Sequence, residues 1–458
     1  MHDRSSSDRL RSLFRDVILP LADAYAATRA SFSWSPGDAS LVVAGTRIPL
    51  SSIEHIYLVG AGKAGVPMAR AVVDTLQEDA RLWDSFAGGT LNVYREQAET
   101  SLPRVTFFPA DHPNPNQASL DGARVALALL SSTTSNDLVI AVISGGGSSL
   151  LTLPQDGICL DDFRTASRVL VTGGPAIQDI NTVRKHLSLV KGGRLRMAAP
   201  DARFVTLILS DVIGDDLSSI ASGPTVPDYT TCGDAIAVLE RHGLWNRMPE
   251  ACRATLLRGD PGEEDRKELW RNRLAPRSQN VVVASNAVVL DSLRRQLSEP
   301  QHSDVATSVY LEPVPVTGPV DEAVESHFRR AEALSATAGA LLMWGGEPVV
   351  SVPADAHGLG GRMLHYALMA ARKIAGREWT VLASGTDGID GTSPSAGAIV
   401  TGNTINKARQ YGLDADAYLK AFNSYGFFRE LDARSESHCL ITTGPTGTNV
   451  NDIMLWSL

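Results

Sequence analysis

The residues able to do chemistry gather in short loops rich in glycine, serine, threonine, aspartate and asparagine. The first is Gly60-Ala61-Gly62-Lys63-Ala64-Gly65, and the next are Ser144-Gly145-Gly146-Gly147-Ser148-Ser149 and Ser210-Asp211-Val212-Ile213-Gly214-Asp215-Asp216. Gly345-Gly346-Glu347, Gly358-Leu359-Gly360-Gly361-Arg362, Gly385-Thr386-Asp387-Gly388-Ile389-Asp390-Gly391 and Gly444-Pro445-Thr446-Gly447-Thr448-Asn449 complete the set. Glycine lets backbone come close to a ligand, and converging N–H groups at such turns suit anionic oxygens. Lys63 and Arg362 are cations placed inside or directly after glycine turns, where they can meet phosphate or carboxylate. Asp211 and Asp387 stand at strand–loop junctions, where a carboxylate can hold Mg²⁺ or take a proton from an attacking hydroxyl. Asp215 and Asp216 read equally well as caps of a following turn of helix. Cations, acceptor carboxylates and glycine loops in this number point to handling of phosphate and to phosphoryl transfer.

Other chemistries fit less well. The first loop matches G-x-G-x-x-G, but a dinucleotide site also wants an acid closing the next strand; Asp84 comes early for that and Glu96 late. A nicotinamide-dependent reductase therefore stays as the second reading, and a non-catalytic binding protein as the third. No Walker A sequence occurs, and no G-x-S-x-G elbow frames Ser148. His112 and His186 have no partner in local sequence and read as structural. The basic stretch Asn181–Arg196, with Arg184, Lys185, Lys191, Arg194 and Arg196, reads as a solvated helix face.

These loops need strands to carry them. Near-continuous apolar runs predict strands at His55–Val59, Leu138–Ile143, Phe204–Leu209, Val281–Ala284, Ala340–Met343, Thr380–Ala383 and Cys439–Thr442, covered on both faces. Helical spacing predicts helices at Asp8–Thr28 (with Pro20 a kink or end), Pro67–Leu76, Ser119–Leu130 and Met363–Ile374. Alternation of the two predicts α/β architecture with parallel sheets and helices on both sides. The charged stretch Leu257–Gln279, with Gly259, Pro261 and Gly262, is the expected linker, giving domains 1–270 and 271–458.

The chain has 458 residues, enough for two cores, and a formal net charge of −9 that argues against a nucleic-acid partner. Four widely spaced cysteines, with no C-x-x-C pair, indicate neither a zinc site nor a disulfide framework. No apolar run approaches membrane length and no leader pattern opens the sequence, so a cytoplasmic location and no membrane partner are expected.

Taken together, VGAGKAG, ISGGGSSLLTLP, INTVRKHLSLVKGGRL, LSDVIGDDLSSIASGPT, GTDGIDGTSPSAGAIV and TGPTGTNVND resemble the glycerate 2-kinase family, the class II glycerate kinases with a C-terminal MOFRL domain. The segments occur in the family's order from Val59 to Asp452. The resemblance implies ATP- and Mg²⁺-dependent phosphorylation of the C2 hydroxyl of D-glycerate, a small-molecule substrate, in a cleft between a larger N-terminal Rossmann-like domain and a smaller C-terminal α/β domain. It makes Lys63, Arg362, Asp211 and Asp387 the catalytic set, with Asp211 and Asp387 also toward the metal. Gly60, Gly62, Ser144, Gly145, Gly146, Gly147, Ser148 and Asn449 would contact the nucleotide. Relatives often labelled hydroxypyruvate reductases keep the reductase alternative open, and a homodimer is left open as the assembly. One departure stands out. After Gly-Gly-Arg the family carries a polar Asn-Gln-Glu run, and here Met363-Leu364-His365 follows, which leaves a related hydroxy acid or sugar acid open as substrate.

Overall fold

The computed structural model describes residues 5–97, 100–260, 262–299 and 306–458. The chain forms two compact units, Ala24–Val283 and Met1–Asp23 together with Ala284–Leu458. The crossing thus lies near residue 283, beyond the expected boundary at residue 270, and the first residues fold with the C-terminal unit. The expected linker is structured. It contains the helix Glu263–Leu269, a turn of π-helix at Trp270–Leu274 and the start of a strand, with Trp270 and Leu274 only 7% and 0% exposed. Its charges mask these apolar anchors, which is why composition alone reads it as a linker; Pro261 lies outside the described residues.

The long first helix is interrupted. Ser6–Leu13 runs into a π-turn at Phe14–Ile18 and the short helix Leu19–Ala22, and Asp23 turns extended before Ala24–Arg29. Pro20 sits in the first turn of Leu19–Ala22, where its missing N–H costs nothing, so the break falls at Asp23.

In the unit Ala24–Val283, a small antiparallel sheet of β1 (Phe32–Ser35), β2 (Ser40–Val43) and β3 (Thr46–Pro49) precedes the main sheet. That sheet comprises β4 (His55–Ala61), β5 (Phe86–Tyr94), β6 (Val105–Ala110), β7 (Asp137–Ser144), β8 (Arg203–Leu209) and β9 (Ser278–Ala284), in the order β6-β5-β4-β7-β8-β9. The pairs from β6 through β8 are parallel. All eight residues of β7 are buried, as its unbroken apolar run requires. β5 escapes the sequence pattern because it holds Gly88 and Gly89. A Cβ at Gly89 would lie 2.4 Å from the Leu58 carbonyl oxygen, so close strand approach excludes side chains there.

The C-terminal unit is built on β10 (Ser308–Leu311), β11 (Ala340–Gly346), β12 (Thr380–Gly385), β13 (Gly397–Thr401), β14 (Leu440–Ile441) and β15 (Asp452–Ser457), ordered β10-β11-β15-β12-β13-β14. Only β10 and β11 pair in parallel; the other four pairings are antiparallel, so the expectation of parallel sheets fails here. The reason is non-local: the last strand inserts between β11 and β12, antiparallel to both. Behind it, the Trp456 indole N–H donates to the Tyr366 hydroxyl at 2.8 Å, and that hydroxyl donates to Nδ1 of His327 at 2.5 Å. Among the described residues no helix is long and apolar enough to cross a membrane.

Candidate active site

Parallel order puts the carboxyl ends of β4, β7 and β8 side by side, and the loops leaving them interlock. The Lys63 N–H donates to the Gly145 carbonyl at 2.9 Å, and the Ala64 N–H to the Ser144 hydroxyl at 3.0 Å. Gly62 has a φ of +137°, and a Cβ there would fall 2.0 Å from the Ser144 hydroxyl oxygen. Gly60 lies within β4 itself, where a Cβ would sit 2.4 Å from the Val142 carbonyl oxygen, so its glycine is demanded by strand packing.

Lys63, His112 and Asp211 surround the next two glycines. A Cβ on Gly146 would stand 3.1 Å from Cγ of Lys63 and 3.3 Å from Cδ2 of His112; one on Gly145 would stand 1.9 Å from Oδ2 of Asp211. The Lys63 side chain is exposed, and among the described residues its ammonium has no hydrogen bond or ion pair. Burial, and then the charge of Lys63, hold the His112 imidazole below its ordinary pKa, so it is neutral at pH 7. Beyond them, a Cβ on Gly147 would meet the Ala221 methyl at 2.8 Å, and the Ser148 and Ser222 hydroxyls bond at 2.9 Å. The loop chemistry was legible in sequence. His112 was not, because its neighbours come from other strands.

The basic stretch corrects its sequence reading. Lys185, His186, Lys191 and Arg196 are 5%, 3%, 1% and 0% exposed, so this is no solvated face. Lys185 approaches Asp228 at 3.6 Å, Arg194 pairs with Asp260 at 3.1 Å, and Arg196 bonds the carbonyls of Ala199 and Ala202. His186, bonded to the Thr230 hydroxyl at 3.1 Å, is structural as expected. Asp216 accepts from the Ser218 N–H and from the Ser218 and Ser219 hydroxyls, which is the capping role weighed against function above.

In the C-terminal unit the centre is Arg362, first residue of the helix Arg362–Lys373. Its Nη1 bonds Oε1 of Glu347 at 2.9 Å, and its Nε and Nη2 fork onto both oxygens of Asp452, the first residue of β15. Asp452 is 2% exposed, whereas the Glu347 side chain is 43% exposed. Burial works against the Arg362 charge, but the Asp452 bonds offset it and the guanidinium stays charged. Burial lifts Asp452 to about 7, against the pull of Arg362. Asp390, 4% exposed, receives the N–H groups of Met363 and Leu364 at 3.1 and 2.7 Å and so fixes the start of the helix. Burial lifts it to about 6.

Asp387 and Asp452 flank Gly385, with carboxylate oxygens 3.1 and 3.3 Å from where a Cβ would stand. Asp387 also accepts the Ile389 N–H at 3.2 Å. Asn449 accepts the Asn451 N–H at 2.9 Å, and Asn451 donates to Glu347 at 3.2 Å. Met363 and Leu364 are 0% exposed within the apolar core, and His365 stacks on Phe422 with centroids 5.6 Å apart. The Met-Leu-His departure is therefore packing chemistry around the Arg362 helix. The pairing of Asp452 with Arg362 was not legible in sequence, since 90 positions separate the two. A cavity of about 810 Å³ beside Arg372, Lys373 and Arg409 adjoins the other end of this helix, and Arg372 there is already paired with Asp416 at 2.8 Å.

With this geometry in view, comparison with known proteins is direct. Residues 13–257 match the family model described as a domain of unknown function, DUF4147, and residues 340–452 match the MOFRL family. A glycerate 2-kinase of Pyrococcus horikoshii is 36% identical, over 91% of this chain and 90% of that protein. A protein of Agrobacterium vitis named as a hydroxypyruvate reductase is 38% identical, over 86% of this chain and 85% of its own length. The crystal structure of a glycerate kinase from Thermotoga maritima superposes with a TM-score of 0.82 at 28% identity, covering 99% of both chains.

Proposed function

This chain belongs to the glycerate 2-kinase family, and from that premise we propose that it moves the γ-phosphoryl group of ATP to the C2 hydroxyl of D-glycerate, giving 2-phosphoglycerate and ADP. The observation that carries the reading is Lys63: an exposed side chain lying against Gly146, whose ammonium has no hydrogen bond or ion pair among the described residues and so is open to an anionic ligand. In the reaction the C2 oxygen bonds to the γ-phosphorus, the bridging P–O bond to ADP breaks, and the hydroxyl proton passes to a carboxylate, Asp211 or Asp387. Lys63 stabilises the charge spread over the migrating group.

Arg362 works differently. Two of its nitrogens are committed to buried Asp452, so it is held rigidly, while its third contact, Glu347, is exposed and exchangeable. An anionic group of the substrate takes the place of Glu347 on the guanidinium.

Among the described residues no group of three or more His, Cys, Asp or Glu side chains is arranged to hold a metal ion alone. Mg²⁺ is usually held by one or two carboxylates plus substrate phosphates, so a single strand-end carboxylate such as Asp211 or Asp387 fits it. When bound, it would draw negative charge from the phosphate oxygens.

The test is product identification by ³¹P NMR after incubation with MgATP and D-glycerate. A phosphate ester on C2 supports the reading. An ester on C3, or no ester together with NAD(P)H consumption on hydroxypyruvate, sinks it.

A further inference from the structure

Among the described residues, one cation of the buried basic stretch has no hydrogen bond or ion pair. Arg184, on the helix Ile177–His186, is half-buried, and among the described residues its guanidinium has no hydrogen bond or ion pair. Burial lowers its pKa with nothing opposing. Its neighbours differ, for Lys185, Arg194 and Arg196 are all matched to carboxylates or carbonyls.

A second buried cation belongs to the same stretch. Lys191, 1% exposed, donates to the carbonyls of Ser148 and Leu151 at 2.5 and 3.0 Å, which ties it beneath the loop that follows β7. Burial, and then the charge of Arg184, pull the Lys191 ammonium down to about 7. An anion bound at Arg184 would relieve the repulsion between the two charges.

The surroundings are built to hold it there. One helical turn before Arg184, Asn181 accepts the Ser222 hydroxyl at 2.9 Å, and Ser222 in turn bonds Ser148. Ala221, Ser222 and Gly223 all have positive φ, at 51°, 62° and 61°, and for the first two this is strained backbone. The Gly192 and Gly193 N–H groups bond the carbonyls of Ser222 and Gly223 at 3.1 and 2.7 Å. Strain fixed by so many partners, next to an unmatched cation, is typical of a ligand clamp.

We propose that Arg184, backed by Lys191, is the receptor for an oxyanion of the ligand: the carboxylate of the hydroxy acid or a phosphate of the nucleotide. The inference deepens the kinase reading and rests on it for the ligand's identity. An unmatched buried charge is kept at a cost to stability, which a purely structural arginine would not impose.

The test compares full-length wild type, R184Q and R184K by calorimetry and thermal melting, with inorganic phosphate as the first probe. Wild type should bind phosphate saturably and melt higher in its presence. R184Q should bind at least tenfold more weakly and, without ligand, melt at or above the wild-type temperature; R184K should recover part of the binding. The same titrations with D-glycerate and with MgADP assign the source, since only the ligand that uses Arg184 loses affinity in R184Q. Unchanged phosphate, glycerate and ADP binding in R184Q would overturn the proposal, as would a ligand-free R184Q melting well below wild type. If wild type forms no ADP with D-glycerate, the kinase reading fails, while the phosphate comparison still decides the role of Arg184.

Discussion

Two cations of this protein are prepared in opposite ways. The Lys63 ammonium has no hydrogen bond or ion pair among the described residues, while Arg362 is gripped by buried Asp452 and more loosely by Glu347, whose side chain is 43% exposed. Neutralising the grip should be costly. D452N takes the charge partner from half-buried Arg362, and we expect about 3 kcal/mol of destabilisation in denaturant melts, with kcat falling about tenfold or more. Unchanged stability would mean that the fork on Asp452 contributes nothing. Glu347 should behave differently. If substrate displaces it from Arg362, E347Q lowers the KM for the anionic substrate several-fold; a raised KM would show that Glu347 positions the arginine instead. The strand-end positions of Asp211 and Asp387 were readable in sequence because an acid just after an apolar run is a local pattern. Asp452 was not, since its pairing with Arg362 spans 90 positions along the chain.

At the scale of elements, the helix Arg362–Lys373 and the interlocked loops after β4 and β7 carry the positioning. Asp390 receives two N–H groups of that helix's first turn, so D390A should cost about 2 kcal/mol in thermal or denaturant melts and lower kcat with it. An unaltered melting curve would contradict the cap. G145A would drive a methyl group into the Asp211 carboxylate, and turnover should drop while the far-UV circular dichroism stays native. Central strands β4, β7, β8 and β12 were legible as continuous apolar runs. β5 was hidden by Gly88 and Gly89, and the antiparallel second sheet followed from a last strand inserting between two earlier ones, an event no local pattern records. The linker failed for a related reason: its charges lie on the surface of a stretch anchored by Trp270 and Leu274.

At the scale of the molecule, burial sets two bulk properties. His327, buried against Trp344 and accepting the Tyr366 hydroxyl, is held down to about 3 by burial. Its folded pKa is depressed below the ordinary 6.5, so its contribution is full above pH 6.5 and is lost as pH falls toward 3. The full swing is about 5 kcal/mol, and H327Q should show a shallower loss of melting temperature across that window; an equal slope would contradict it. Of the cysteines, Cys159 is exposed while Cys232, Cys252 and Cys439 are buried, with burial pushing the Cys252 thiol up to about 12. Native protein at pH 8 should therefore titrate one thiol with Ellman's reagent and release the rest only on unfolding; rapid reaction of a second native thiol would contradict this burial.

The kinase proposal gives a role to each of the two cations, Lys63 and Arg362. The most direct measurement is D-glycerate-dependent ADP release from MgATP by wild type, K63A and R362A, each checked for native melting. Robust release by wild type and a loss of about 10² to 10³ in kcat for each variant are expected. Near-wild-type turnover in either variant, or no substrate-dependent ADP from wild type, would contradict it.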